Sequence, residues 1–397
     1  MNRQEIMKEA TEWLKEEIIT EDQFHKIVNR YELKDRSYLL FLFASLFIGL
    51  VFLTYVASNL HVIPHLVNLT IILLFMIGYY VIGNYFYRYK STKVGLSLLI
   101  IGLFIFGAGI FLLGQMYHYS YLHAVPFLIW SIAAFSLFVI YKHPALFVFT
   151  VTVITIGQIY NGMNYQSFYW LLAIFFVAAC LHYVYHEPNR LYSLLFGWSY
   201  LVQGIVFVIV SDHDYHIYLH IFLLLFIAGA ILNKDRIKEE FQYVALLAGF
   251  VFTCFETIFL RYARIELDWI YFFLWIPLFL IAVGIQITRR HYMYLPSLLL
   301  FIPIAYAGEY SDYLSMLALF IVSLSWLMLG YRVEDMKKIT LGSVTFLIST
   351  FIAYFHLAWA FLDKSIFFFI GGILLFLLGY FLERKRRELK HSEVADK

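Results

Sequence analysis

"VGLSLLIIGLFIFGAGIFLLGQMY" occupies residues 94–117 and holds no Asp, Glu, Lys or Arg. An α-helix of about 20 apolar residues crosses the hydrocarbon core of a bilayer, so this stretch predicts a transmembrane helix. The surrounding chain has the same character. Of its 397 residues, 62% are hydrophobic and 14% charged, whereas soluble domains carry about 25% charged residues. One soluble core could not bury so much apolar surface. The formal charge of +2 says little about partners; the position of each charge says more.

Working outward from this run, fourteen spans are expected: 38–60, 64–87, 94–117, 122–141, 144–160, 167–185, 191–210, 216–233, 241–260, 268–288, 292–308, 313–331, 339–361 and 365–383. Two of them, 144–160 and 292–308, are short. Helix is the expected form because open strands leave backbone groups unpaired in lipid. The expected fold is therefore an all-α polytopic transmembrane bundle. With the N-terminus inside, this parse puts 26 of the 29 Lys and Arg residues on the cytoplasmic side and leaves Arg261, Arg264 and Lys364 outside. That asymmetry predicts an inner-membrane protein with both termini in the cytoplasm.

Three regions are expected: a cytoplasmic helical hairpin at 1–36, a helix bundle at 37–383 and a basic tail at 384–397. The first 36 residues are mixed in charge and lack the apolar stretch of a signal peptide, so they are expected to stay in the cytoplasm. Ile6, Ala10, Trp13 and Leu14 make one apolar stripe at helical spacing. Thr20 and Gln23 have the spacing of a capping box that starts a second helix, with Ile19 and Phe24 placed to staple across it. This hairpin is a candidate dock for a protein partner, or a folded lead-in that packs on the cytoplasmic loops. The tail "ERKRRELK" at 383–390 is a cationic anchor for anionic lipid headgroups.

Gly114-Gln115-Met116-Tyr117 recurs as Gly157-Gln158-Ile159-Tyr160. Each is followed by a cytoplasmic turn that ends in proline, "YKHP" at 141–144 and "YHEP" at 185–188, which marks a two-helix repeat near 97–188. The repeat puts Gln115 and Gln158 near the outer ends of two helices. A glutamine at that depth needs hydrogen-bond partners, and tyrosine suits the interface. Gln115, Tyr117, Gln158 and Tyr160 are thus candidates for one outward-facing polar pocket, or for interhelical staples with interfacial anchors. Gly102 and Gly109 share one face of the glycine-rich span, and Gly107 and Gly114 another, which predicts close helix packing.

These residues carry a resemblance. The stretch "WLKEEIITEDQFHKIVNRY" at 13–31, with Trp13, Ile18, Gln23, Ile27 and Tyr31, and the run "GAGIFLLGQMYH" at 107–118 resemble a bacterial membrane-protein family known as domain of unknown function 2157. The resemblance covers about the first 120 residues and departs at Glu17, where such sequences carry a glycine in the turn. It implies a bacterial inner-membrane protein with a short cytoplasmic head. It implies no reaction and carries over no catalytic residue.

Other candidates stand apart. Asp212, His213, Asp214, His216 and His220 form a metal-ligand-like cluster in "DHDYHIYLH", or a solvated loop free of Lys and Arg. His182 and His186 are four apart, but Tyr183 stands where a metalloprotease HExxH motif has glutamate. Glu256 is the carboxylate set deepest in a span, a candidate for proton or substrate coupling or for an ion pair with Arg261. Glu266, Asp268, Glu309 and Asp312 are outer-surface acids. Pro277 and Pro303 fall within consecutive spans, as in broken transporter helices and also in ordinary ones. Cys180 and Cys254 lie in apolar runs and suit neither a disulfide nor zinc.

No phosphate loop and no Gly-x-Ser-x-Gly nucleophile motif is present, and the first outer loop has no carboxylate. No catalytic residue, cofactor or nucleic-acid partner is expected, and the balance is against an enzyme. Membrane lipids are the expected surroundings, and any small-molecule substrate is undefined. Three functions compete: transport or handling of a lipidic or amphiphilic substrate, a non-catalytic scaffold or sensor that uses the N-terminal hairpin, and an outer-leaflet enzyme.

Overall fold

A computed structural model describes residues 11, 13–16, 18–21, 23–24, 37–59, 64–116, 123–211, 216–232, 235–259, 268–289 and 292–358, with 369, 372, 373, 376 and 380 beyond them. The described residues are helical or in turns, with no strand among them. The chain divides into two compact units, Met1–Ser120 and Tyr121–Lys397.

Unit 1 contains the capped turn anticipated from Thr20 and Gln23. Thr20 N donates to Gln23 Oε1 at 2.9 Å, and Gln23 N donates to Thr20 Oγ1 at 3.3 Å. Each side chain thereby satisfies a backbone N–H that a helix start leaves open. Three long helices follow: α1 (Ser37–Asn59), α2 (His65–Tyr89) and α3 (Thr92–Met116). Helix α3 packs against both α1 and α2. Its core residues Ile101, Ile105, Ala108 and Leu112 cluster with Ile72 of α2. The glycine face expected at Gly102 and Gly109 receives α2: a Cβ on Gly102 would lie 2.8 Å from Tyr80, and one on Gly109 would lie 3.2 Å from Ile72. Gly114 has nothing within 4 Å among the described residues.

Unit 2 contains α4 (Val125–Tyr141), α5 (Pro144–Tyr165), α6 (Trp170–His186), α7 (Arg190–Val210), α8 (Ile217–Leu232), α9 (Asp235–Phe259), α10 (Trp269–Thr288), α11 (Ser311–Val333) and α12 (Met336–Ala358). Helix α5 packs on α4 and α7, α9 on α7, α8 and α11, and α11 on α12. Turn chemistry sets the boundaries. The Asn189 side chain accepts from Leu191 N at 2.9 Å to start α7, and Asp268 accepts from Ile270 N at 2.9 Å to start α10. Helices α4, α5 and α11 end at Lys142, Gln166 and Glu334, each in the left-handed conformation that closes a helix C-terminus. The α11–α12 hairpin is so close that a Cβ on Gly330 would lie 2.6 Å from Ile339 N, and one on Gly342 would lie 2.5 Å from Leu327 N. Glycine lets two backbones meet in this way.

Eight of these helices are long and apolar enough to cross a membrane, and four shorter apolar helices accompany them. The fold is thus an all-α polytopic membrane bundle. The expected short span at 144–160 is a full helix that runs on to Tyr165. The one expected at 292–308 is instead two 3-10 segments, Tyr292–Phe301 and Ile304–Tyr310, because Pro303 breaks it. Most of the expected span 365–383, the tail and most of the N-terminal hairpin lie outside the described residues.

Candidate functional site at a broken span

The break at Pro303 has a defined geometry. Pro303 has φ −76° and ψ 70°, and Ile304 N donates to Ile302 O at 2.8 Å. Those values describe an inverse γ-turn. Five residues on, Gly308 takes φ 63° and ψ −126°, a conformation essentially confined to glycine. The segment's direction therefore changes twice before α11 begins.

Two indoles hold the broken segment. Trp275 of α10 donates Nε1–H to Phe301 O at 2.7 Å, and Trp326 of α11 donates to Ser297 Oγ at 2.8 Å. The first bond satisfies a carbonyl beside the turn, where the break has removed regular helical partners. Sequence alone offers little signal for either donor, since a tryptophan in a membrane span usually reads as packing or an interfacial anchor.

Beside the break lies a small crevice lined by His216, His220, Tyr271, Trp275, Pro303 and Tyr306, with about 10 Å³ of room, close to what one water needs. The buried His216 ring sits on Tyr306 with centroids 4.1 Å apart. His220 Nε2 is 3.0 Å from Tyr271 O, and its Nδ1 is 3.3 Å from His216 O. Among the described residues, neither Lys, Arg, Asp nor Glu lines the crevice. Its described lining offers aromatic surface with imidazole and phenol edges, around room for about one water.

Of the metal-like cluster, Asp212, His213 and Asp214 lie outside the described residues. Among the described residues no group of three or more His, Cys, Asp or Glu side chains is placed to hold a metal ion. His220 has both ring nitrogens against backbone carbonyls, so metal ligation there would require the ring to turn.

The remaining candidates lie elsewhere. Glu256 of α9 is buried, with Oε1 lacking a hydrogen-bond partner among the described residues. The adjacent hydroxyls do not serve it: Thr253 donates to Gly249 O and Thr257 to Thr253 O. Its expected partner Arg261 lies outside the described residues. Gln158 of α5 is fully buried, and neither amide atom has a hydrogen-bond partner among the described residues. Tyr160 is partly exposed, with its ring 5.2 Å from Phe127. Residues two apart on a helix point about 200° apart, so Gln158 and Tyr160 occupy different faces of α5. Tyr117 and the Gln115 side chain lie outside the described residues.

A buried polar seam runs between α5 and α7. The hydroxyls of Thr155 and Ser199 are 2.7 Å apart, and Gln203 Nε2 donates to Ser199 Oγ at 3.3 Å. Asp312 is a buried acid held 3.3 Å from His356 of α12, and Glu240 of α9 is a buried acid paired with Arg190 of α7. His356, Glu240 and Gln203 carry no motif. Each gains its significance from a residue 44, 50 or 4 positions away.

These features define a multi-helix membrane protein with a broken span and buried polar contacts between helices. Residues 11–147 match a family described as predicted membrane protein (DUF2157). The match extends past α3, through α4 and into the start of α5. No curated protein matches the chain, and no solved structure does.

Proposed function

We propose that this protein transports or shelters a lipidic or amphiphilic substrate along the broken span at Pro303, where the small crevice marks a gap in the packing and not the whole site. The observation that carries this reading is a non-helical turn within an apolar span, next to a crevice whose described lining is mostly aromatic. Irregular backbone at membrane depth is tolerated where protein buries it or where it lines a cavity, and transporters place substrate sites at broken helices. Glu256 is a second, coupling element in this scheme, with a carboxyl oxygen available to a proton or a polar substrate group. The basic residues support a cytoplasmic-membrane location with both termini inside.

The test is a lipid-translocation assay in liposomes carrying a fluorescent phospholipid in both leaflets. Reconstituted protein should expose the inner-leaflet probe to an external quencher faster than empty liposomes do. Gly308→Ala should slow that exposure. Identical rates with and without protein, for zwitterionic and anionic headgroups alike, would remove lipid translocation from the reading. Native mass spectrometry of the detergent-purified chain should then show a retained amphiphile; a clean apo mass would sink the sheltering role as well.

The alternative is a scaffold or sensor that uses the N-terminal hairpin. It draws support from exposed Trp13 and Ile18 beside the capped helix start at Thr20. Deletion of residues 1–33 would abolish partner capture under that alternative and leave lipid translocation intact under the first.

A further inference from the structure

Helix α6 ends in a histidine pair that the crevice does not use. His182 and His186 are four residues apart, one above the other on a helix face. Their rings are 4.2 Å apart at 38°, and both side chains are exposed. His186 Nδ1 lies 2.8 Å from the carbonyl oxygen of His182. A carbonyl accepts only, so the bond puts the proton on Nδ1 and leaves the Nε2 lone pair free. Metal-binding histidines are commonly oriented by such a bond from the other ring nitrogen to a carbonyl.

We propose that His182 and His186 chelate a divalent transition-metal ion, with water completing its shell. Imidazole suits copper, nickel and zinc, whereas magnesium and calcium take oxygen ligands. With two protein ligands and an open remainder, affinity should follow the usual order for nitrogen sites, with Cu²⁺ ahead of Ni²⁺ and Zn²⁺. His216 and His220 have the same spacing and supply an internal contrast. His216 is buried, and both nitrogens of His220 face carbonyl oxygens. Spacing is equal in the two pairs; access and ring orientation separate them. His186 lies four residues before Arg190, at the end that the basic residues assign to the cytoplasm.

The experiment uses the full chain, purified in detergent through a tag without histidine and stripped with chelator. Cu²⁺ is titrated in and followed by electron paramagnetic resonance, which reads the coordinated nitrogens directly. The wild type should give a two-nitrogen signal at one ion per chain. His182→Ala and His186→Ala should each weaken binding at least about tenfold, the scale on which even outer-shell changes to metal sites act, with unchanged melting temperature. His216→Ala and His220→Ala should bind as the wild type does. Absence of uptake by the wild type, or uptake that survives both α6 substitutions, would overturn the proposal, as would a two-nitrogen signal lost only in the α8 variants.

Discussion

Asp312, in the first turn of α11, and His356, in the last turn of α12, approach to 3.3 Å between Oδ2 and Nε2, with both side chains largely buried. The pair joins the open ends of a helical hairpin whose other end is closed by Gly330 and Gly342. Its position also suits the helix dipoles, with an acid at an N-terminus and a base at a C-terminus. Replacement of Asp312 by Asn or His356 by Gln removes part of a buried polar contact. Each should destabilise the folded chain by about 1–3 kcal/mol. The double variant should lose less than the sum, because the two changes break one interaction. Thermal melts in detergent provide the measurement; strict additivity would show that the contact contributes nothing.

The closed end of the hairpin predicts a contrast between glycines. Gly330→Ala places a methyl group against the Ile339 backbone, which cannot turn aside as a side chain can. The helices must separate, and the melting temperature should fall. Gly284 of α10 is exposed, with nothing within 4 Å among the described residues. There, Ala should raise stability by up to about 1 kcal/mol through helix propensity. If both substitutions shift the melt in the same direction, close backbone approach is not what requires glycine at position 330.

Most of this architecture was legible as length and polarity. The uncharged run at 94–117 corresponds to α3, and the Thr20–Gln23 spacing corresponds to the two capping hydrogen bonds. The apolar run at 292–308 was misleading because hydrophobicity reports burial and not backbone form. The turn at Pro303 depends on a local dihedral, and Trp275 and Trp326 support the segment from helices far away in sequence. The repeated Gly-Gln-x-Tyr motif was visible, but a motif does not state faces. Helical phase puts Gln158 and Tyr160 on different sides. Pairs such as Asp312–His356 were illegible for a simpler reason: nothing in either local sequence names the other.

His143 caps α5, accepting at Nδ1 from Ala145 N at 3.2 Å, and burial pushes its pKa below the ordinary histidine value of 6.5. The folded protein therefore binds this proton less readily than the unfolded chain does. The resulting stabilisation is fully present above pH 6.5 and declines as pH falls through the lower folded-state value. Protonation would also remove the lone pair that accepts from Ala145. His143→Asn, which supplies an acceptor without this titration, should flatten the acid side of the stability profile. A His143→Asn curve parallel to the wild type below pH 6.5 would assign the acid loss to other groups.

Gln158 gives the most direct test of whether the repeated motif serves packing or a ligand. Its amide is sealed inside unit 2, with neither atom hydrogen-bonded to a described residue, and each buried polar group without a partner costs about 1–3 kcal/mol. Leucine has similar volume and no such requirement. Gln158→Leu should therefore raise the melting temperature of the purified chain, whereas Gln203→Leu, which breaks a bond to Ser199, should not. If the amide serves a substrate, the stabilised Gln158 variant should also lose lipid translocation while remaining folded. A fall in melting temperature for Gln158→Leu would mean that the side chain is an interhelical staple. Stabilisation with unchanged translocation would leave the amide without a role in transport and place that burden on the crevice at Pro303.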